Sequence, residues 1–142
     1  MPSIDPEQAE RVWSRVMHCN KSSPEIPVTR LCQQAGETYL LYRALCRTMP
    51  RSACVKTLLK RQKCTYQTLR ALCCLQNEPI PKLPTVDPPQ NTCRLVCMIY
   101  KMVSESAEEY TRLSSRYLVL QPIAATQKRA CTELFSLLRC IV

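Results

Sequence analysis

A chain of 142 residues that contains one glycine, Gly36, has little access to folds that depend on tight reversals of direction. Two-residue hairpin turns, phosphate-cradling loops and nucleotide-binding turns all place glycine where the backbone takes a positive φ or must approach a ligand closely. Helices need none, and a glycine inside one costs about 1 kcal/mol relative to alanine. The scarcity therefore points to an all-α protein. Proline supplies the punctuation instead. Pro79, Pro81, Pro84, Pro88 and Pro89 fall in one stretch, and most of the others stand where helical patterns begin or end.

Apolar residues recurring at three- and four-residue steps mark about five helices. The first, 6–19, opens on Asp5-Pro6-Glu7-Gln8, where Asp5 caps, Pro6 suits the first turn and Gln8 takes the capping-box position. It continues through Ala9, Val12, Trp13, Val16 and Met17, with Trp13 a core anchor. The second, 27–48, carries Val28, Leu31, Cys32, Ala35, Tyr39, Tyr42, Leu45 and Cys46 and ends at Met49-Pro50. The third, 52–76, is capped by Ser52 and follows Val55, Leu58, Leu59, Gln62, Tyr66, Leu69, Leu72 and Cys73, either whole or broken near Lys63. The fourth, 90–119, follows Leu95, Val96, Ile99, Met102, Val103, Tyr110, Leu113 and Tyr117 until Pro122 interrupts it. The fifth, 122–141, follows Ile123, Ala130, Cys131, Leu134, Phe135, Leu138 and Ile141.

Residues 77–89 read as an extended, proline-rich connector inside a single helical domain, 1–142. The expected architecture is a compact bundle or short helical stack, built from two antiparallel hairpins and an N-terminal helix. One internal echo stands out: Tyr39-Leu40-Leu41-Tyr42-Arg43-Ala44-Leu45-Cys46 resembles Tyr66-Gln67-Thr68-Leu69-Arg70-Ala71-Leu72-Cys73. Two short copies do not make a solenoid, which needs about three repeats.

Charge is distributed unevenly. Twenty Lys and Arg against eleven Asp and Glu give +9, and no acidic residue lies between Glu37 and Glu78. That interval holds Arg43, Arg47, Arg51, Lys56, Lys60, Arg61, Lys63 and Arg70. Lys56, Lys60, Lys63 and Arg70, with Gln67 among them, follow the helical repeat opposite Val55, Leu58, Leu59 and Tyr66. Such a stripe suits an acidic partner protein first. It also suits nucleic acid, through counterion release, or an anionic lipid surface, or it is simply a solvated face. Lys60-Arg61-Gln62-Lys63 fits a short nuclear-import pattern.

Eleven cysteines cannot all pair within one chain. The N-terminus lacks the pattern of a secretory signal, and no stretch approaches 18 uncharged apolar residues. The expectation is a soluble intracellular protein of the cytoplasm or nucleus, without a membrane span or cofactor, whose cysteines are reduced and packed as small hydrophobes. One alternative gathers Cys73, Cys74, Cys93 and Cys97 across a hairpin around zinc. Another is a secreted, disulfide-stapled helical ligand of cytokine type, in which Asn20-Lys21-Ser22 would be a glycosylation acceptor. From Cys54 onward the order single, single, Cys73-Cys74, Cys93, Cys97, single, single resembles the cysteine order of plant lipid-transfer proteins, a secreted and disulfide-bonded family. Cys93-x3-Cys97 replaces that family's C-x-C, and three cysteines lie upstream.

Two further resemblances concern adaptors. Thr68-Leu69-Arg70-Ala71-Leu72-Cys73 resembles the elongin-binding box of ubiquitin-ligase substrate receptors, which implies that its leucine and cysteine insert into elongin C. Leu41-Tyr42-Arg43 resembles the tripeptide of the LYR family of mitochondrial assembly factors, although it lies mid-chain. Catalytic chemistry has little to work with. His18 and Cys19 are adjacent on one helix, whereas a nucleophile and its base face each other across a cleft. Glu105, Glu108 and Glu109 read as a solvated face. The expected function is therefore non-enzymatic: an interaction or adaptor protein, in the manner of a fast-evolving accessory factor such as a viral one.

Overall fold

Four helices and no strand occupy residues 28–141, the residues that the computed structural model describes: α1 Val28–Thr48, α2 Ala53–Leu75, α3 Thr92–Ser114 and α4 Leu120–Ile141. The helix expected over 6–19, with Trp13, His18 and Cys19, lies outside these residues.

The helix ends follow from side chains competing for backbone groups. Ser52 takes an extended conformation, and its hydroxyl accepts the Val55 N–H at 3.2 Å, which starts α2. Asn91 does the same for α3, accepting the Arg94 N–H at 3.0 Å. At the end of α2 the Glu78 N–H donates to the Cys73 carbonyl (2.9 Å) and the Asn77 N–H to the Cys74 carbonyl (3.2 Å). Asn77 stands between them at φ 54°, so the helix closes in a Schellman motif with asparagine in the place glycine usually takes.

α2 takes the whole one of its two expected forms, and the α3–α4 boundary differs from the sequence expectation. α2 runs unbroken past Lys63, because Leu58, Gln62, Thr65, Tyr66 and Leu69 keep one buried face throughout and no residue there breaks a helix. α3 stops at Ser114 instead of reaching 119. The Ser114 and Ser115 hydroxyls donate to the Thr111 and Arg112 carbonyls, Tyr117 turns into the core, and α4 has begun by Leu120. Pro122 therefore sits in the first turn of α4, where its missing N–H has no helical partner to lose.

The helices close into a four-membered bundle. α1 packs against α2, α2 against α4, α4 against α3, and α3 against α1. One end of the core gathers Leu31, Cys32, Leu69, Cys73, Tyr110 and Leu120, and the other Leu45, Val55, Leu58, Leu95, Ile99 and Leu134. Each fully buried leucine contributes roughly 1.5–3 kcal/mol. α1 therefore runs opposite to α2, and α3 opposite to α4, whereas α2 and α3 point the same way. The chain must return along the whole bundle between them. A helix of 23 residues is about 34 Å long, and an extended proline-rich strand rising about 3.1 Å per residue from Gln76 to Asn91 covers that distance. On its way the connector is held by the Thr29 hydroxyl donating to the Pro79 carbonyl at 2.9 Å, and by Val86 against the far half of the core.

The lone glycine is explained by this crossing. A Cβ on Gly36 would stand 3.1 Å from Leu83 of the connector and 3.1 Å from the Tyr66 ring. Without it, both settle against the α1 backbone.

The echo between α1 and α2 also acquires a structural meaning. At the same offset of 27 residues, Val28 and Val55, Leu31 and Leu58, and Thr38 and Thr65 are identical and buried. Ala35 and Gln62, also at that offset, meet directly: the Gln62 amide donates to the Ala35 carbonyl at 3.1 Å. α1 and α2 thus pack as a pseudo-two-fold pair. Gln62 extends the contact into α4, accepting at Oε1 from the Gln127 amide at 3.0 Å, and the buried Gln127 Oε1 has no partner among the described residues.

Candidate interaction surface on the α1–α2 hairpin

The antiparallel register sets the basic residues of α1 and α2 beside each other. Cys46 lies against the first turn of α2, its thiol 4.0 Å from the Val55 carbonyl and within the field of Lys56. Arg47 is therefore level with Lys56, and Arg43, one turn earlier, with Lys60. Arg43, Arg47, Arg51, Lys56, Lys60, Lys63 and Arg70 are all exposed. Neither ion pair of the described residues involves any of them.

Arg61 departs from the expectation. It points to the opposite side of α2, where its Nη1 donates to both Glu133 oxygens of α4 at 2.8 and 2.9 Å. Its charge is neutralised in a helix–helix contact, so it drops out of the surface. The helical repeat explains this: Arg61 follows Lys60 by 100°, which carries it round the far side of the helix. The other ion pair, Arg30 with Glu109, ties α1 to α3. Glu105 and Glu108 remain exposed on α3.

Sequence reasoning assigned Tyr39 and Tyr66 to the core alone. They also organise the surface. Their rings stack at 6.2 Å with 9° between planes, Arg43 lies over the Tyr39 ring at 5.9 Å, and Arg70 over the Tyr66 ring at 5.7 Å. Cation–π contacts of this kind contribute about 0.5–1 kcal/mol at exposed sites. The four residues form one continuous array, Arg43–Tyr39–Tyr66–Arg70, across the seam. The signal that would have found it is Tyr-x3-Arg, present in both copies of the echo.

The cysteines do not gather as the zinc alternative required. Cys73 and Cys74 end α2 at one end of the bundle, whereas Cys93 and Cys97 open α3 at the other, because the link between these helices is a crossover and not a hairpin. Among the described residues no three His, Cys, Asp or Glu side chains come together closely enough to hold a metal ion. The ten described cysteines are free thiols. The elongin-binding resemblance also fails on position: Leu69 and Cys73, which it would insert into a partner, are buried in this chain's own core. Leu41 and Tyr42 of the LYR tripeptide are buried as well. No helix among the described residues is long and apolar enough to cross a membrane.

Burial, reinforced by the neighbouring Cys73 thiol, pushes the Cys32 thiol up from its ordinary 9.0 to about 12. Burial likewise drives the Tyr42 and Tyr110 hydroxyls above the usual tyrosine range, and the Tyr42 hydroxyl has no hydrogen-bond partner among the described residues. Each group is an acid whose folded pKa is raised. Its stabilisation is complete below the unfolded value and is lost as pH rises toward the folded one, at no more than about 1.4 kcal/mol per pH unit. Stability is thus expected to be level through neutral pH and to fall above about pH 9, read as the urea midpoint against pH. A midpoint that holds well above that pH would contradict the burial of these groups.

Comparison of the chain with protein-family models, curated proteins and solved structures finds no match. Function must therefore be argued from the surface itself.

Proposed function

We propose that the chain is a non-enzymatic interaction protein that binds an acidic partner protein through the outer face of the α1–α2 hairpin. The observation that carries this reading is the clustering of seven exposed cations, none of them in an ion pair among the described residues, in an interval that contains no acid. Like charges crowded on one face destabilise the folded chain by self-repulsion. They are favoured where a partner of opposite charge covers them and steers onto them. The site of action is the cytoplasm or nucleus, a reading supported by the free thiols and by Cys32 and Cys73 packing as core hydrophobes. An adaptor-like accessory factor, as some viruses carry, fits this description.

Nucleic acid is the rival occupant, and one observation weighs against it. Proteins that hold single strands offer open aromatic faces on which bases stack. Here Tyr39 and Tyr66 stack on each other, and an arginine stands over each ring.

Affinity capture from cells, with and without nuclease, separates the two. An acidic protein retained after nuclease treatment and released as salt rises is the expected result. Loss of every captured protein on nuclease treatment would transfer the function to nucleic-acid binding.

A further inference from the structure

We propose that Arg43 and Arg70, each laid over a tyrosine ring, form a two-pronged carboxylate clamp for an acidic, amphipathic peptide segment of the partner; this deepens the reading above and rests on it. A guanidinium held over a ring by its charge still has N–H donors turned away from that ring, in the fork that matches a carboxylate. The contact also restricts a long side chain before anything binds, so less rotamer freedom is lost in the complex. The two forks are related by the pseudo-two-fold of α1 and α2. They stand at opposite ends of the tyrosine stack, with an apolar centre between them.

That centre selects the kind of partner. Leu83 crosses the hairpin beside Gly36 and the Tyr66 ring, and 46% of it is exposed. The clamp therefore surrounds an apolar contact with cations. A peptide that sets an apolar side chain on Leu83 and Tyr39, with carboxylates on either side, is complementary to both features. A sugar-phosphate backbone satisfies the cations and leaves the apolar centre uncovered. Tyr66, only 7% exposed, has no open face to give a base.

The test measures binding of a labelled synthetic peptide with leucine and glutamate on one helical face, a glutamine-for-glutamate version of it, and a single-stranded DNA oligonucleotide. The proteins are the full chain, the Arg43→Lys/Arg70→Lys variant, and Tyr39→Leu. The glutamate peptide should bind the unmodified chain most tightly. The double lysine variant keeps every charge, and with it a cation over each ring, but loses the planar forks, so it should bind about tenfold more weakly while its melting temperature falls by no more than a few degrees. Tyr39→Leu should weaken binding in the same direction. Equal affinity for the double lysine variant overturns the clamp and leaves the basic-face reading standing. Failure of the glutamate peptide to bind the unmodified chain also overturns the clamp. Tighter binding of the oligonucleotide than of the peptide overturns the acidic-partner reading beneath it.

Discussion

Reversing Lys56, Lys60 and Lys63 to glutamate is expected to weaken binding of the acidic partner roughly a hundredfold or more, with helical content unchanged. The three side chains are exposed and make no ion pair among the described residues, so their reversal breaks no salt bridge there. Surface charges of this kind contribute at most about 1 kcal/mol each to the fold. Here they sit among like charges, and placing glutamates among Arg43, Arg47 and Arg70 relieves repulsion. The melting temperature should therefore hold or rise slightly. The control is equal reversal elsewhere: Lys101 on α3 with Lys128 and Arg139 on α4, all exposed. Both triple variants take the net charge from +9 down by the same amount. If binding depends on the α1–α2 face, the control binds within about threefold of the unmodified chain. Equal losses in the two variants would mean that only net charge matters.

Replacing Gln62 by alanine is expected to cost about 2–4 kcal/mol of stability, more than most surface changes by far. The change deletes the bond to the Ala35 carbonyl and the bond from Gln127. It also strands Gln127, which is 1% exposed and whose Oε1 has no partner among the described residues, with its amide nitrogen orphaned too. Replacing Gln62 and Gln127 together by leucine should return stability to within about 1 kcal/mol of the unmodified chain, since exchanging a buried polar pair for apolar groups of similar shape is nearly neutral. Urea unfolding of Gln62→Leu, Gln127→Leu and the double leucine variant forms a thermodynamic cycle. A double variant no more stable than Gln62→Ala would show that the pair is not the link between α2 and α4. The Gln62 bonds tie α1, α2 and α4 together one turn from the level at which Tyr39 meets Tyr66.

Much of this architecture was legible in the residues. Met49-Pro50 and Ser52 announce the α1–α2 turn by local chemistry, and the two helices run within a residue of the expected limits at each end. At the α3–α4 junction Pro122 opens the last helix much as its sequence position suggests, but α3 ends five residues short of 119, because the apolar repeat that runs on through Leu113 and Tyr117 does not show that Tyr117 enters the core from a turn. Phe135 was placed on the core face, yet it is 54% exposed and leans on Tyr100 at 6.4 Å beside the α3–α4 seam. Periodicity gives the direction of a face and cannot tell its centre, Leu134, from its flank.

The candidate surface was half legible. The acid-free interval and its cations are plain in the sequence, and seven of eight reach solvent on the hairpin. Arg61 was lost to Glu133, a partner 72 residues away that no local pattern reveals. The same limit hid the bond between Gln62 and Gln127 and the path of the connector. Its prolines gave its extended form, but whether it crosses the bundle or folds back depends on where α3 packs. The zinc alternative failed on that distinction. The tyrosine–arginine array had a sequence trace in the echo, but two spaced motifs become one array only when their helices pack antiparallel in this register.

Lysine footprinting tests the central claim most directly. The chain is acetylated with a lysine-reactive reagent, alone and in complex with its captured acidic partner, and each position is read by mass spectrometry. The account predicts that Lys56, Lys60 and Lys63 lose reactivity in the complex while Lys101 and Lys128 keep theirs. Protection of Lys101 and Lys128, with Lys56, Lys60 and Lys63 still reactive, would place the partner on α3 and α4 and contradict it.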